Sequence, residues 1–334
     1  MAKSALIIFL ITSLLIFILR KLALKFNLVD QPNVRKIHRK PIPLVGGIAL
    51  VISSGIALAL LGGVGEFALY LYLSACLVAL IGLMDDVYNL SALIRFAVQI
   101  AASLFIVFMT KVQLFSFGYL LLPSWQMSLG LLSIPVTVFG VVGVINALNM
   151  SDGIDGLAAM TFLLPTLTLA LLANGTDLSH WLLLLLIALI VFVIFNKSNK
   201  FKLFLGDNGS MFLGFLLAWL LVYFSQPPIS LIKPVTALFL VALPIYDTIF
   251  VMLRRIMKGV SPFRPDKTHL HHLFLVNGIS QNKTLFAIVI MQALLIVFGV
   301  FVINQWQEFV QFYLFLLLSV VYYFSVKKIW EKTE

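Results

Sequence analysis

Residues 181–195 read Trp-Leu-Leu-Leu-Leu-Leu-Ile-Ala-Leu-Ile-Val-Phe-Val-Ile-Phe, without a charged side chain. Because about 20 apolar residues in a helix span the hydrocarbon core of a bilayer, the run at 180–195 predicts a transmembrane helix. Similar runs extend outward from it in both directions, at about 4–20, 44–64, 67–84, 92–110, 131–149, 158–174, 210–224, 235–253, 285–303 and 308–326. The sequence therefore predicts an all-α integral membrane protein with about eleven transmembrane helices.

The composition excludes a separate soluble domain. Of the 334 residues, 62% are hydrophobic and only 11% are charged, so we expect one polytopic membrane domain over 1–334. The net charge of +10 would suit nucleic acid, but a basic excess in a membrane protein usually marks cytoplasmic loops. We therefore expect no nucleic-acid partner. The single cysteine, Cys76, cannot close an intramolecular disulfide.

The basic residues predict the orientation. Twenty of the 23 Lys and Arg residues fall on one side of the alternating loops, the exceptions being Lys3, Lys111 and Lys233. Because positive loops stay in the cytoplasm, the N-terminus is expected in the periplasm and the C-terminus in the cytoplasm. The stretch at 112–122 is too short to span and is expected to form a hairpin or an interfacial segment.

The acidic residues share the cytoplasmic side, although the positive-inside rule does not concern carboxylates. Only Glu66, Asp177 and Glu308 lie on the opposite side. The cytoplasmic set comprises Asp30, Asp85, Asp86, Asp152, Asp155, Asp207, Asp247, Asp266, Glu331 and Glu334. This distribution indicates an active site on the cytoplasmic face.

Two adjacent carboxylates, Asp85 and Asp86, end the third apolar run, and Arg95 enters the fourth. Carboxylates at a membrane boundary require water, a cation or a metal, since burying one in a helix centre costs about 2.5–3.5 kcal/mol. A solvated loop start is the alternative interpretation.

A second polar motif has oxygen-bearing side chains at three-residue spacing. On a helix they would share one narrow face, while Gly153 and Gly156 would allow a turn or a close approach to a ligand. Helix capping around a glycine turn is the alternative. The four side chains are Asn146, Asn149, Asp152 and Asp155.

A third motif, Gly206-Asp207-Asn208-Gly209-Ser210, precedes an apolar run. Free backbone N–H groups at a helix N-terminus bind anions, and Asp207 could hold a divalent cation on such an anion. Few, hard oxygen ligands suit Mg²⁺. A plain turn is the alternative.

The segment 261–272, in the longest cytoplasmic loop, carries three of the five histidines, His269, His271 and His272. A zinc site is one interpretation. Since no cysteine lies nearby, these histidines with Arg254, Arg255 and Arg264 are better interpreted as a phosphate clamp.

Two further features lie outside these motifs. A basic, proline-containing loop at 35–47 includes Lys40. Its basic residues either serve only to set the membrane topology or form part of a functional site. Asp247 falls within the ninth apolar run, where a carboxylate is a functional candidate or a packing partner of a nearby arginine. Taken together, the motifs indicate a phosphate-bearing soluble substrate and a lipid acceptor.

The motifs resemble those of the polyprenyl-phosphate N-acetylhexosamine-1-phosphate transferases, glycosyltransferase family 4, over nearly the whole chain. The family pattern Asp-Asp-x-x-Asp/Asn is matched at 85–89, Asn-x-x-Asn-x-x-Asp-Gly-x-Asp-Gly at 146–156, and Gly-Asp-x-Gly-Ser at 206–210. His269-Leu-His-His272 after Ser-Pro-Phe-x-Pro-Asp resembles the branch that uses UDP-N-acetylglucosamine. Asn89 departs from many members of that branch, which have a third Asp there.

The resemblance implies transfer of N-acetylglucosamine 1-phosphate to undecaprenyl phosphate, with release of UMP, in the bacterial inner membrane. It implies Mg²⁺, with Mn²⁺ as a substitute, held by Asp207 and Asn149. The product would begin a cell-surface polysaccharide such as O-antigen or enterobacterial common antigen. The resemblance leaves a homodimer open.

Two sets of residues follow from the resemblance. The first would act at the reacting phosphates, with Asp85 as a base supported by Asp86, and comprises Asp85, Asp86, Asp152, Asp155 and His269. The second would hold substrates, with Phe204 stacked on uracil, and comprises Asn146, Asn149, Phe204, Arg255, Arg264, His271, His272, Arg95 and Lys40. Because a phosphate monoester is already largely ionised near neutral pH, neutralisation of charge could outweigh proton removal.

Two alternatives remain at this point. The same chemistry on UDP-N-acetylmuramoyl-pentapeptide would serve peptidoglycan synthesis. An anion transporter is the alternative of another class. Transporters usually place polar residues near the bilayer midplane and often contain an internal repeat, whereas the polar motifs here lie at one face.

Overall fold

The computed structural model describes residues 1–31, 40–262 and 268–333, and it is predominantly helical. A short antiparallel pair joins β1 (Val29–Asp30) to β2 (Ile42–Pro43). Within the described residues the α-helices are α1 (Ala2–Phe26), α2 (Gly46–Leu60), α3 (Gly65–Tyr88), α4 (Ala92–Thr110), α5 (Ser133–Met150), α6 (Leu157–Leu172), α7 (Asp177–Asn196), α8 (Gly206–Ser225), α9 (Pro234–Leu240), α10 (Ala242–Met257), α11 (Leu270–Val276), α12 (Gln281–Val297) and α13 (Glu308–Thr333). A 3₁₀ turn (Gly130–Leu132) precedes α5, and a π-helical turn (Phe298–Val302) follows α12.

Over the residues that it describes, the structure supports eight or nine of the eleven predicted membrane-spanning helices. In the described part of the chain, eight helices are long and apolar enough to cross a membrane, or nine if the bent pair α9 and α10 counts as one span. The other two apolar runs form α2 and α6, which have 15 and 16 residues. A helix of 16 residues is about 24 Å long, so each of these two would cross a hydrocarbon core of about 30 Å only with the help of flanking residues or local thinning of the bilayer.

The chain divides into two compact units, of which the first comprises Met1–Lys111 and Thr166–Trp219. In this unit α7 packs against α1 and α2, and α3 packs against α4. The indole of Trp181 is fully buried and donates a hydrogen bond of 3.1 Å to the carbonyl of Ser54. The apolar side chains of α7 therefore form much of the interior of this unit.

The second unit comprises Val112–Pro165 and Leu220–Glu334. Its α10 packs against α5, α12 and α13. The α9–α10 pair bends by 79° at Val241. Buried Gln292 bridges this break, because its Oε1 accepts from the Leu243 N–H at 3.1 Å and its Nε2 donates to the Leu240 carbonyl at 2.7 Å. A side chain thus satisfies backbone groups that the broken helix leaves unpaired.

The predicted hairpin at 112–122 is confirmed, in an irregular form. Isolated bridges pair Ser116 with Ser128 and Leu122 with Trp125. The carboxylate of Glu308 accepts a hydrogen bond of 2.6 Å from the Tyr119 N–H and so attaches this hairpin to the start of α13.

Candidate active site

Asp85 and Asp86 occupy the last turn of α3. Successive residues on a helix point about 100° apart, so the two carboxylates reach different partners. The helix ends at Asn89, which adopts the left-handed conformation (φ 51°) and donates its N–H to the Asp85 carbonyl at 2.8 Å. Asparagine tolerates that conformation better than most residues, so position 89 has a capping function in the structure.

The carboxylate of Asp86 caps the N-terminus of α8. Its Oδ1 accepts from the Asp207 N–H at 2.9 Å, and its Oδ2 accepts from the Asn208 N–H at 3.2 Å. Two of the N–H groups that the sequence predicted to be free for an anion are therefore occupied. The anion attracted to the positive end of the helix is a carboxylate of the protein itself.

Two glycines allow this contact. A Cβ at Gly82, one turn before Asp86, would lie 2.6 Å from the backbone nitrogen and Cα of Asn208. A real Cβ essentially never comes so close, so α3 approaches α8 only because Gly82 lacks a side chain. Gly206 begins α8 at φ +75°, a conformation that favours glycine. Ser210, predicted to face an anion, donates its hydroxyl to the Gly206 carbonyl at 3.2 Å.

Arg95, in the first turn of α4, links two acidic residues. Its guanidinium lies 2.6 Å from Oδ2 of Asp85 and 3.7 Å from Oδ2 of Asp207. The Asp85 side chain is 7% exposed, whereas that of Asp207 is 39% exposed. Of these two carboxylates, Asp207 is therefore the more open to a ligand.

This cluster fits a divalent cation. Asp85, Asp86 and Asp207 approach one another closely enough for mutual repulsion, and Arg95 supplies a single positive charge against them. In the described residues, no three His, Cys, Asp or Glu side chains form a ready-made metal cage. Mg²⁺ usually binds through one or two carboxylates together with waters and substrate phosphates, so the exposed oxygens of Asp207 fit Mg²⁺ without such a cage.

Phe204 is held next to the start of α2. Its N–H donates to the Pro43 carbonyl at 2.8 Å, and its carbonyl accepts from the Gly46 N–H at 2.9 Å. The Nζ atom of Lys202 lies 5.5 Å from the Phe204 ring centroid, within cation–π range. Lys40, at the edge of the described segment 40–262, is exposed.

The Asn146–Gly156 motif does not lie on one helix face as predicted. Helix α5 ends at Met150, so Asn146 and Asn149 are helical whereas Asp152 and Asp155 lie in the following turn. The buried side chain of Ile154 attaches this turn to the core, while Asp152 is exposed.

Gly156 forms a turn as predicted, whereas the close approach at Gly153 is to a side chain of the protein itself. Gly156 adopts φ +84°. A Cβ at Gly153 would overlap the imidazole of His271, so the turn contacts the histidine motif within the second unit.

Asp247 makes contact with His269 and, among the described residues, with no arginine, which was one of the predicted alternatives. Its Oδ2 lies 2.7 Å from Nδ1 of His269, and its Oδ1 accepts from the Leu270 N–H at 2.9 Å. The Tyr322 hydroxyl donates to the same Oδ1 at 2.8 Å. The carboxylate in the apolar run is therefore part of the histidine motif.

His271 is buried, with 3% exposed, and its Nε2 has no hydrogen-bond partner among the described residues. Burial, reinforced by the neighbouring His272, lowers the pKa of His271 to about 3, although Asp247 opposes the shift. The ring centroids of His271 and His272 lie 4.1 Å apart. His271 is thus a neutral imidazole at physiological pH.

Of the predicted arginine clamp, Arg255 is 4% exposed and donates a hydrogen bond of 2.6 Å to the Pro262 carbonyl. The Arg254 guanidinium lies 5.0 Å from the Trp330 ring centroid. Arg264 lies outside the described residues. The hydrogen bond of Arg255 therefore attaches Pro262 to the end of α10.

Sequence reasoning missed Tyr322 and Trp330, both in α13. Tyr322 binds Asp247, and the Trp330 indole donates to the Thr268 carbonyl at 3.0 Å. Aromatic residues in an apolar run are usually packing residues, so no local pattern distinguished these two.

Comparison with known proteins identifies the family to which this chain belongs. The family model described as Glycosyl transferase family 4 matches residues 68–225, which include Asp85, Asp86 and Asp207. A relative from Salmonella typhi, named undecaprenyl-phosphate alpha-N-acetylglucosaminyl 1-phosphate transferase, is 37% identical over 97% of this chain and 90% of its own length. The chain belongs to glycosyl transferase family 4.

Other relatives carry the same name. That from Escherichia coli K12 is 36% identical over 97% of this chain and 90% of its own length. That from Pasteurella multocida is 34% identical over 100% of this chain and 96% of its own length. The similarity therefore extends over the polar motifs and the apolar runs alike.

Proposed function

We propose that this protein transfers N-acetylglucosamine 1-phosphate from UDP-N-acetylglucosamine to undecaprenyl phosphate. The products are undecaprenyl-diphospho-N-acetylglucosamine and UMP. The observation that carries the proposal is the cluster of Asp85, Arg95 and Asp207, in a chain at least 34% identical to transferases of that name. The muramoyl-pentapeptide donor and the transport alternative lack such support.

In the proposed reaction, an oxygen of the lipid phosphate attacks the phosphorus that carries the sugar. A new phosphorus–oxygen bond forms, and the bond from that phosphorus to the oxygen of UMP breaks. Both reactants are anions, so the enzyme's main task is to offset their repulsion. Arg95 offsets part of this charge and holds Asp85 in place at 2.6 Å.

Asp207, with Asn149, would hold Mg²⁺ or Mn²⁺. When bound, this ion would share the negative charge of the donor pyrophosphate. Asp86 holds the N-terminus of α8 and so orients Asp207, while Asp85 is the candidate base. His269 is proposed to contact a substrate phosphate.

The remaining sequence-predicted residues are proposed for substrate binding. Phe204 would stack on uracil, with the opposite side of the ring facing Lys202. Asp152 and Asp155 would serve the uridine and metal region. The other proposed binding residues are Asn146, Arg255, Arg264, His271, His272 and Lys40.

We further propose that the chain acts as one transferase domain with eleven crossings in the bacterial inner membrane, the N-terminus being periplasmic. The eight long helices, the bent pair and the two shorter helices α2 and α6 would supply these crossings. The distribution of Lys and Arg supports this orientation.

The function is tested with purified protein in detergent, UDP-N-acetylglucosamine radiolabelled in the sugar, and undecaprenyl phosphate. The expected result is a labelled lipid that is cleaved to N-acetylglucosamine 1-phosphate, with one UMP formed per lipid. No labelled lipid, or preferential use of UDP-N-acetylmuramoyl-pentapeptide, would overturn the proposal.

A further inference from the structure

Asp247 is a buried carboxylate, with 8% exposed, and its hydrogen bonds to described residues are all made within the second unit. The Leu270 N–H and the Tyr322 hydroxyl both bind Oδ1, at 2.9 and 2.8 Å, and His269 Nδ1 lies 2.7 Å from Oδ2. A buried charge without partners would be costly. Two donors on Oδ1 and a third group on Oδ2 make this position suitable for an ionised aspartate.

The hydrogen bonds of Asp247 determine which nitrogen of His269 carries the proton. Donors that bind a carboxylate stabilise its charged form, and an ionised carboxylate only accepts hydrogen bonds. Nδ1 of His269 must therefore be the protonated nitrogen in this pair. In the neutral ring the lone pair is then on Nε2, which makes no hydrogen bond to any described residue.

Helix α13 holds this arrangement at two points. Tyr322 binds the Asp247 carboxylate, and Trp330, eight residues further along, binds the carbonyl of Thr268, the residue before His269. Both aromatic side chains are at most 7% exposed. A single rigid element thus restrains both the carboxylate and the backbone next to the imidazole.

We propose that Asp247 and Tyr322 are positioning residues that keep the proton of neutral His269 on Nδ1. Nε2 is then left to accept the proton that a substrate phosphate carries and to donate it back in a hydrogen bond to the ionised phosphate oxygen. The proposal rests on the proposed function. Through Tyr322 and its contact with Asp247, helix α13 would then contribute to catalysis.

The first test measures the tautomer directly. Full-length protein labelled with ¹⁵N-histidine is studied by NMR at alkaline pH, and the His269 signals are identified by their loss in His269→Gln. The wild type should show a protonated Nδ1 and an unprotonated Nε2. In Asp247→Asn the amide can donate to Nδ1, so the proton should move to Nε2. A wild-type Nε2–H tautomer, or no change in folded Asp247→Asn, would overturn the proposal.

The second test compares two adjacent tyrosines. Tyr322→Phe should lower kcat about 10-fold, on the scale of one hydrogen bond, and Asp247→Asn about 10²-fold, with little change in the KM for UDP-N-acetylglucosamine. Tyr323→Phe is the matched control, because Tyr323 contacts Phe250 through its ring and its hydroxyl makes no hydrogen bond among the described residues. It should retain wild-type kcat.

The outcomes separate this proposal from the proposed function. If the wild type transfers no sugar phosphate, the function fails, whereas the NMR result still determines the tautomer. If the wild type is active and folded Tyr322→Phe keeps the kcat of the Tyr323→Phe control, the positioning proposal alone fails. If Asp247→Asn does not fold, the kcat of Tyr322→Phe still tests the positioning proposal.

Discussion

Asp86 Oδ1 lies 2.9 Å from the backbone nitrogen of Asp207, 121 residues further along the chain. The first residues of α8 therefore depend for their capping on a carboxylate from α3. Because the Asp207 N–H is one of the two groups that Asp86 accepts from, the orientation of Asp207 depends on the same contact.

Replacing Asp86 should destabilise the start of α8. Asp86→Ala leaves two backbone N–H groups without their charged acceptor, and we expect a loss of about 1–3 kcal/mol together with most activity. Asp86→Asn retains one acceptor oxygen, so its free energy of unfolding should lie between those of Asp86→Ala and the wild type. Thermal unfolding in detergent measures the effect.

The control for this series is Glu66→Ala, which removes an exposed carboxylate at the opposite end of the same helix. Its unfolding midpoint should stay close to that of the wild type. Equal midpoints for Asp86→Ala and Glu66→Ala would contradict the capping role.

Removing the divalent cation should stop the reaction. Excess EDTA should abolish transfer, and added Mg²⁺ or Mn²⁺ should restore it. Asp207→Asn should lose roughly 10³-fold in rate, because sharing of pyrophosphate charge contributes several kcal/mol, while the variant still folds. Full turnover in EDTA would refute the assignment.

Gly82→Ala should disturb the contact between α3 and α8. The added methyl group would meet the Asn208 backbone at 2.6 Å, and backbone atoms cannot move aside as a flexible side chain can. We expect a lower unfolding midpoint and little activity. Gly140→Ala is the matched control, since its Cβ would meet nothing within 4 Å and alanine favours a helix by about 1 kcal/mol over glycine. A Gly82→Ala protein as stable and active as Gly140→Ala would contradict the packing.

The burial of His271 should make folding sensitive to acid. Its pKa is lowered to about 3 in the folded chain, against about 6.5 when unfolded, so the unfolded chain takes up the proton first. The stability is complete above the unfolded pKa and declines as the pH falls from about 6.5 toward 3, by at most about 1.4 kcal/mol per pH unit. The free energy of unfolding, measured as a function of pH, should change less steeply for His271→Gln than for the wild type between about pH 6.5 and 3. Identical slopes for the two proteins would exclude the effect.

The orientation predicts which loops are accessible from outside the cell. In a Cys76→Ser background, an impermeant thiol reagent should label Asp177→Cys in intact cells but not Asn199→Cys. Both positions are exposed at opposite ends of α7. The reverse labelling pattern would invert the proposed topology.

The sequence by itself determined the membrane class and the chemical type of the site. Both depend on local properties, since the run at 180–195 is apolar enough for a bilayer and Asp207 is a hard oxygen ligand at the start of a helix. The same local reasoning wrongly predicted that the helix containing Asn146 and Asn149 continues beyond Met150. It placed Asp152 and Asp155 on a helical face, because a three-residue spacing does not reveal where a helix ends.

Only the tertiary structure decided which polar groups meet. Asp85 and Asp86 are neighbours in the sequence, yet one pairs with Arg95 and the other caps α8. Tyr322 joins Asp247 from 75 residues away. These pairings depend on how helices rotate and pack against one another, which is set by side-chain shape along their whole length and by glycines such as Gly82, and not by the pattern around any one polar residue.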